Sequence, residues 1–361
     1  MIIMHGDIAV AGIGKNGIAK IFVPDRMPYD LYFEEKTTDI DSLVQNLENF
    51  YHWCSTRLIH IDRKYIKEIF GSIGATQQMT DRDRAQIALS YHALSLLDIY
   101  WVRDDEEQVF FSDINLYEHS LSNAFADLSL RGRSMSVENN HLIADDLSTP
   151  GMFPKAWIRE EDGFYLIKDG DEDAVERELL ASRIAGCFDV PLIQYEESIY
   201  DDLRVSRSKI ITSLDISIVS MDAFLIYTIN HDLNCLNEVL RKDSYGYYMM
   251  NIIDYLVGNT DRHKGNWGWL VDNQTGERLR LHELMDFNKA FNSYDTTDGA
   301  ICQTVFDKTG KPDGQTQYDA AKTATRNISP KLTTNIDDNW FGEHDTWREM
   351  FHRRMDRLFC N

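Results

Sequence analysis

Gly258-Asn259-Thr260-Asp261-Arg262-His263-Lys264-Gly265-Asn266-Trp267 is the run on which the reading of this chain turns. Between Asn259 and Asn266 it packs an acid, three bases and two amides. Residues 247–257, just before it, space Ile252, Ile253, Leu256 and Val257 as the inward face of a helix, and Gly258 suits the stop. After it, residues 267–271 and 278–285 read as strands joined by a hairpin over 272–277, which holds a Thr-Gly pair. The second strand runs into Leu284-Met285-Asp286-Phe287-Asn288. That geometry predicts Asp261, Asn266 and Asp286 at one edge of the hairpin.

Phosphoryl transfer needs such a set. One carboxylate orients the attacking hydroxyl and takes its proton, while a carboxylate and an amide hold Mg²⁺ on the nucleotide phosphates. Asp-x-x-x-x-Asn is the spacing of a kinase catalytic loop, and an Asp-Phe-x triplet downstream is the metal anchor. Taken singly, each residue reads as well as part of a helix-capping loop. The order helix, loop, hairpin, Asp-Phe-Asn favours chemistry.

A kinase also requires a strand-borne cation paired to a helix acid. Residues 155–159 and 164–168 read as strands around Glu160-Glu161-Asp162-Gly163, and Lys168 ends the second. The helix expected over 172–187 offers Glu172, Glu176 and Glu178. Upstream, Ser148-Thr149-Pro150-Gly151-Met152-Phe153-Pro154-Lys155 stands where a phosphate-covering loop belongs, with Gly151 as the candidate nucleotide contact. It is poor in glycine, so an ordinary turn is an equal reading.

Leu256-Val257-Gly258-Asn259 followed by Thr260-Asp261-Arg262-His263 and Asn266 resembles the catalytic loop of HipA-like serine/threonine kinases, the toxin kinases of bacterial toxin–antitoxin pairs. Val175-Glu176-Arg177-Glu178, with Ile184-Ala185-Gly186-Cys187-Phe188-Asp189-Val190, resembles their Glu-bearing helix. The resemblance covers roughly residues 145–290 and does not extend to the first 140. It implies Asp261 as catalytic base, Asn266 and Asp286 as metal ligands, Lys168 as the ATP lysine and Glu178 as its partner. His263 would support the loop. It also implies ATP and Mg²⁺ as cofactors, Ser or Thr of a protein as acceptor, an antitoxin-like protein partner, and self-phosphorylation at Ser148 or Thr149 that expels the loop. Phosphoinositide kinases share Asp-Arg-His-x-x-Asn but end in Asp-Phe-Gly, from which Asn288 departs. A small-molecule or lipid kinase with the same apparatus is one alternative, and a degenerate kinase fold serving as a binding module is another.

The rest of the 361 residues sets the frame. The charge is −22, and residues 101–300 hold 37 acids against 18 bases. Such a field disfavours direct nucleic-acid binding and anionic membranes, and leaves an anionic nucleotide dependent on Mg²⁺ and a few placed cations. Cys54, Cys187, Cys235, Cys302 and Cys360 form no paired motif and read as free thiols, so a cytoplasmic location is expected. No run reaches the length of a membrane helix. Gly12, Gly14 and Gly17 spell a dinucleotide fingerprint, but the sequence that follows is strand-like, which favours a hairpin. Helices are expected over 38–51, started by Thr38-x-x-Asp41, over 81–97, and over 346–358, started by Thr346-x-x-Glu349. Strands are expected over 190–193 and 209–219. The predicted class is α+β: a two-lobed protein-kinase-like fold, with a small sheet-rich N-lobe over 141–225 and a helical C-lobe over 226–361. An N-terminal domain of β-hairpin plus helices, over 1–140, precedes it.

Overall fold

The computed structural model describes residues 1–57, 80–119, 147–148, 155–169, 172–200, 202–292 and 296–360. The chain divides into two compact units. One holds Met1–Leu166, Ile210–Ser217 and Asp272–Glu277; the other holds Ile167–Lys209, Ile218–Val271 and Arg278–Asn361. Both mix helices with small antiparallel sheets.

In the first unit, strands β1 (Ile2–His5), β2 (Ile8–Ile13), β3 (Ala19–Ile21) and β4 (Tyr100–Arg103) form an antiparallel sheet of order β3-β2-β1-β4. The three glycines of the fingerprint lie in and beside the β2–β3 hairpin, where Gly14 N–H donates to Ile18 O and Gly17 N–H to Gly14 O. Gly17 has φ +81°, and a Cβ there would sit 2.1 Å from Leu43 O, so only glycine fits between the turn and helix α1 (Ile40–Thr56). The cap of α1 is Asp39, which accepts from Ser42 N–H, not the expected Thr38. Helix α2 (Asp81–Ser90) opens with a Thr80–Asp83 capping box. It stops at Ser90, short of 97, because His92 and Ala93 turn to positive φ and the freed chain packs Tyr91 and Leu94 into the core. Trp53, Trp101 and Phe50 anchor that core. A short helix, α3 (Phe111–Ile114), and strands β5 (Leu147–Ser148) and β6 (Lys155–Glu160) follow, with β5, β6 and the start of β7 (Gly163–Asp169) as neighbours.

The second unit begins inside β7. There the sheet order is β7-β9-β8, with β8 (Tyr195–Tyr200) antiparallel to β9 (Leu203–Lys209). Helix α4 (Glu172–Ala185) packs against both. Strand β10 (Ile216–Ser220) leads into α5 (Met221–Asn230), capped by Ser220. Residues 190–193 form no strand: Pro191 has no N–H to offer, and only Leu192 bridges, in parallel, to Leu284.

Helix α6 (Cys235–Val257) delivers the loop. Its backbone breaks at Asp243, whose carboxylate accepts from Gly246 N–H and from Leu281 N–H, so the second half starts afresh as a buried helix. Gly258 ends it in the left-handed conformation, φ 64°. Strands β11 (Gly268–Asp272) and β12 (Arg278–Leu281) make the hairpin, but β12 stops at Leu281, short of the expected 285, and Leu284 bridges to Leu192 instead. Helices α7 (Gln317–Asn327) and α8 (Asp345–Phe359) close the unit. Four of the cysteines are buried, Cys360 is exposed, and all are free thiols. Among the described residues no helix is long and apolar enough to cross a membrane.

Candidate active site

Lys168 leaves strand β7 with its Nζ buried between two acids. It donates to Glu178 Oε1 at 2.5 Å and to Asp286 Oδ1 at 3.0 Å. The Tyr195 hydroxyl lies 3.3 Å from the same nitrogen, and its ring centroid 5.0 Å away. Glu178 is held in turn by the Ser206 hydroxyl on β9. Asp286 N–H donates to Tyr195 Oη at 3.0 Å, so strand β8 pins backbone and lysine together. Burial by itself pulls the lysine's pKa down; Glu178, then Tyr195 and Asp286, outweigh it and hold the ammonium well above its ordinary range. Burial, with Glu178 adding to it, pushes the Tyr195 phenol upward, so it stays neutral. One strand, one helix and the residue after a hairpin therefore converge on a single cation.

Asp286 takes φ 59°, a conformation uncommon outside glycine and tolerated by aspartate. The turn points its carboxylate at Lys168 while Phe287 is fully buried behind it.

The loop after Gly258 is built around Arg262. Its Nε and Nη2 bond both oxygens of Asp254 on α6, at 2.9 and 3.0 Å, and Nη1 donates to Asn266 O and Met285 O. One guanidinium thus ties the helix, the far end of the loop and the residue before Asp286. Burial opposes its charge, and Asp254 more than compensates, so its pKa stays raised. Asn266 is buried and spends its amide N–H on Asp261 O at 2.9 Å, which turns its Oδ1 the other way. Asp261 is half-buried, its N–H bonded to Asn259 Oδ1 at 3.2 Å. His263 is exposed, and its Nδ1 accepts from Gly265 N–H at 3.0 Å, shaping the turn between Asp261 and Asn266. Thr260 O and Asn259 O accept from the amides of Gln303 and Gln317.

The structure brings Lys168, Glu178 and Asp286 into direct contact, and ties Asp261 to Asn266 and, through Arg262, to the residue beside Asp286. Gly151 and Thr149 lie outside the described residues, as do the other residues of 149–154; Ser148 belongs to β5 and Lys155 to β6. Arg262, Asp254, Tyr195 and Ser206 are site residues that sequence reasoning gave no role. An Arg next to the loop Asp, with an acid eight residues back on the buried, mostly apolar end of the preceding helix, was the available signal for the first two. Tyr195 and Ser206 carried none.

Asp286 and Asn266 offer a carboxylate and an amide, the hard oxygen donors Mg²⁺ takes. Groups of three or more His, Cys, Asp or Glu arranged for a metal are absent among the described residues, so a cation there would complete its shell with water and phosphate oxygen.

Neither a protein-family model nor a curated protein matches the sequence. Solved structures do. A chain of the Shewanella oneidensis MR-1 toxin–antitoxin complex of HipA, HipB and operator DNA aligns over 99% of this chain and 97% of that one, at 11% identity and TM-score 0.51. That likeness is one of fold, and it runs the length of both chains. The Helicobacter pylori proinflammatory kinase CtkA aligns over 58% of this chain and 89% of its own, at 15% identity and TM-score 0.43.

Proposed function

We propose that this protein is an ATP- and Mg²⁺-dependent phosphotransferase of the HipA-like kind, acting on Ser or Thr of a protein. The observation that carries the reading is Lys168, held at once by Glu178 of helix α4 and by Asp286. A buried lysine with two acid partners and a hydroxyl is over-specified for packing; a simple core would place an apolar residue there at less cost. Kinases need that ion pair formed before they turn over.

In this reading Asp286 and Asn266 hold Mg²⁺, whose chemistry is to neutralise charge on the phosphate oxygens. Lys168 aligns the nucleotide phosphates. Asp261 accepts the proton of the acceptor hydroxyl as its oxygen bonds to the γ-phosphorus, and the bond to the bridging oxygen breaks to release ADP. Arg262 and His263 keep the loop in shape. The excess of acids over bases in residues 101–300 suits a basic acceptor segment. An antitoxin-like protein partner belongs to the same reading, supported by the full-length likeness to one chain of the complex of HipA, HipB and operator DNA.

The test is transfer of labelled γ-phosphate, with Mg²⁺, to the protein itself and to a panel of basic peptides, an aminoglycoside-like amino sugar and an inositol lipid. Label should pass to Ser or Thr of protein and vanish in Asp261→Asn. Transfer only to the sugar or lipid would reassign the acceptor, and no nucleotide binding at all would end the kinase reading.

A further inference from the structure

Helix α8 breaks a local rule. The sequence offers it a Thr346–Glu349 capping box, yet it starts at Asp345 with His344 as its cap residue, and His344 makes no capping bond. The imidazole is committed elsewhere: Nε2 pairs with Glu176 Oε2 at 2.7 Å, and the ring stacks on Trp347 at 3.8 Å and 7°. Glu176 is two residues from Glu178 on helix α4.

That pair is the last of a series along α4. Just past its C-terminus, Asp189 N–H donates to Lys331 O at 3.0 Å and Thr333 N–H to Cys187 O at 2.8 Å, with Phe188 bridging Leu332. On its last turn the Arg183 guanidinium lies over Trp340 at 5.5 Å; in its first half Arg177 lies over Trp347 at 5.6 Å. Trp347 in turn stacks on Phe291 at 5.1 Å and 12°, and Phe291 N–H donates to Val257 O, where the catalytic-loop helix ends. Residues 331–347 therefore touch α4 at Glu176 and Arg177, at Arg183 and just past its end, and link it through Phe291 to the helix that delivers Asp261.

We propose that residues 331–347 are a strap that keeps Glu178 in register with Lys168, with His344 and Trp347 as its positioning residues. A helix held only by its sheet can slide or tilt; one also fastened in its first half and at its C-terminal end keeps a single position. The cap bond that His344 forgoes is the local cost of that placement. The catalytic consequence rests on the phosphotransferase reading, but the placement of Glu178 does not.

The test reads Lys168 directly. The full chain is treated with an amine-acylating reagent, and labelling of Lys168 is followed by mass spectrometry against exposed Lys322. In His344→Ala/Trp347→Leu, Lys168 should label about tenfold faster than in wild type, the loss expected for one hydrogen bond to a carboxylate and one cation–π contact at a half-buried site. KM for MgATP should rise by more than kcat falls, and His344→Gln, which can still donate to Glu176, should behave as wild type. Should the double variant lose protection of the amides at 252–256 and so prove unfolded, Glu176→Gln decides, with a rise of about threefold in Lys168 labelling. Unchanged labelling of Lys168 in a folded variant overturns the strap. Labelling as expected in a protein that never transfers phosphate keeps the strap and removes the kinase reading instead.

Discussion

Replacing Arg262 by methionine separates what its guanidinium does for stability from what it does for the site. Asp254 is 4% exposed, and its oxygens accept from Arg262 at 2.9 and 3.0 Å and from Asn259 Nδ2 at 3.0 Å. Arg262→Met leaves that carboxylate buried with no counter-charge, a loss of about 3–5 kcal/mol. At about 2 kcal/mol per molar urea, the midpoint should fall by about 2 M. Asp254→Leu/Arg262→Met removes both charges, and should return to within about 1–2 kcal/mol of wild type, since an apolar pair replaces a desolvated ionic one. Phosphate transfer should not return with it, because Asn266 O and Met285 O still lack their shared donor. Two compact units need not unfold together, so the assay is urea unfolding read by pulsed hydrogen exchange in peptides over 247–272. The reasoning fails if Arg262→Met costs under about 1 kcal/mol, if the double variant is no more stable than the single, or if it transfers phosphate like wild type.

Other outcomes follow from the same geometry. Gly258→Ala puts a Cβ at φ 64°, 3.1 Å from Arg354 Nη1 and from Met350 Sδ, and should cost about 1–3 kcal/mol in thermal unfolding while slowing transfer. Burial lowers His282 from 6.5 to about 4, with its ring bonded to Glu283 O, so the unfolded chain takes the proton first. The stability it contributes is intact above pH 6.5 and is lost on acidification toward pH 4, about 3 kcal/mol in all. His282→Asn should flatten that limb of a denaturation–pH curve; an unchanged limb would show the proton goes elsewhere. Mass spectrometry after incubation with MgATP should find phosphate on Ser148 or Thr149, with activity falling as it accumulates; both residues unmodified would remove self-inhibition by that loop.

Much of the second unit was legible because its chemistry sits where periodicity changes. The buried face of residues 247–257, Gly258 and the turn into Asp286 all read directly, and Lys168 at the end of a short apolar strand could be matched to an acid on the next helix. What stayed hidden was set by tertiary partners. Strand β8 shows no alternation, because Glu196, Glu197, Ile199 and Tyr200 all face solvent and pairing with β9 alone makes it a strand. Its one inward task, the Tyr195 hydroxyl on Lys168 and Asp286, leaves no local trace. Residues 190–193 look more strand-like and form none. The start of α8 was misplaced for a related reason: Thr346 is the better cap by local rules, and His344 takes the position because Glu176, far away in sequence, holds its ring. Arg262 lay in plain view, but its role depends on Asp254 and Met285 reaching it from either side.

The central claim is that Lys168, Asp261, Asn266 and Asp286 form one phosphotransfer site. The measurement that tests it most directly is Mg²⁺-dependent transfer of γ-phosphate from labelled ATP by wild type, Lys168→Met and Asp261→Asn, with nucleotide affinity measured in parallel. Wild type should transfer, Asp261→Asn should bind MgATP and not transfer, and Lys168→Met should lose affinity as well. Equal transfer by wild type and Asp261→Asn, or no nucleotide binding by wild type, would contradict the account.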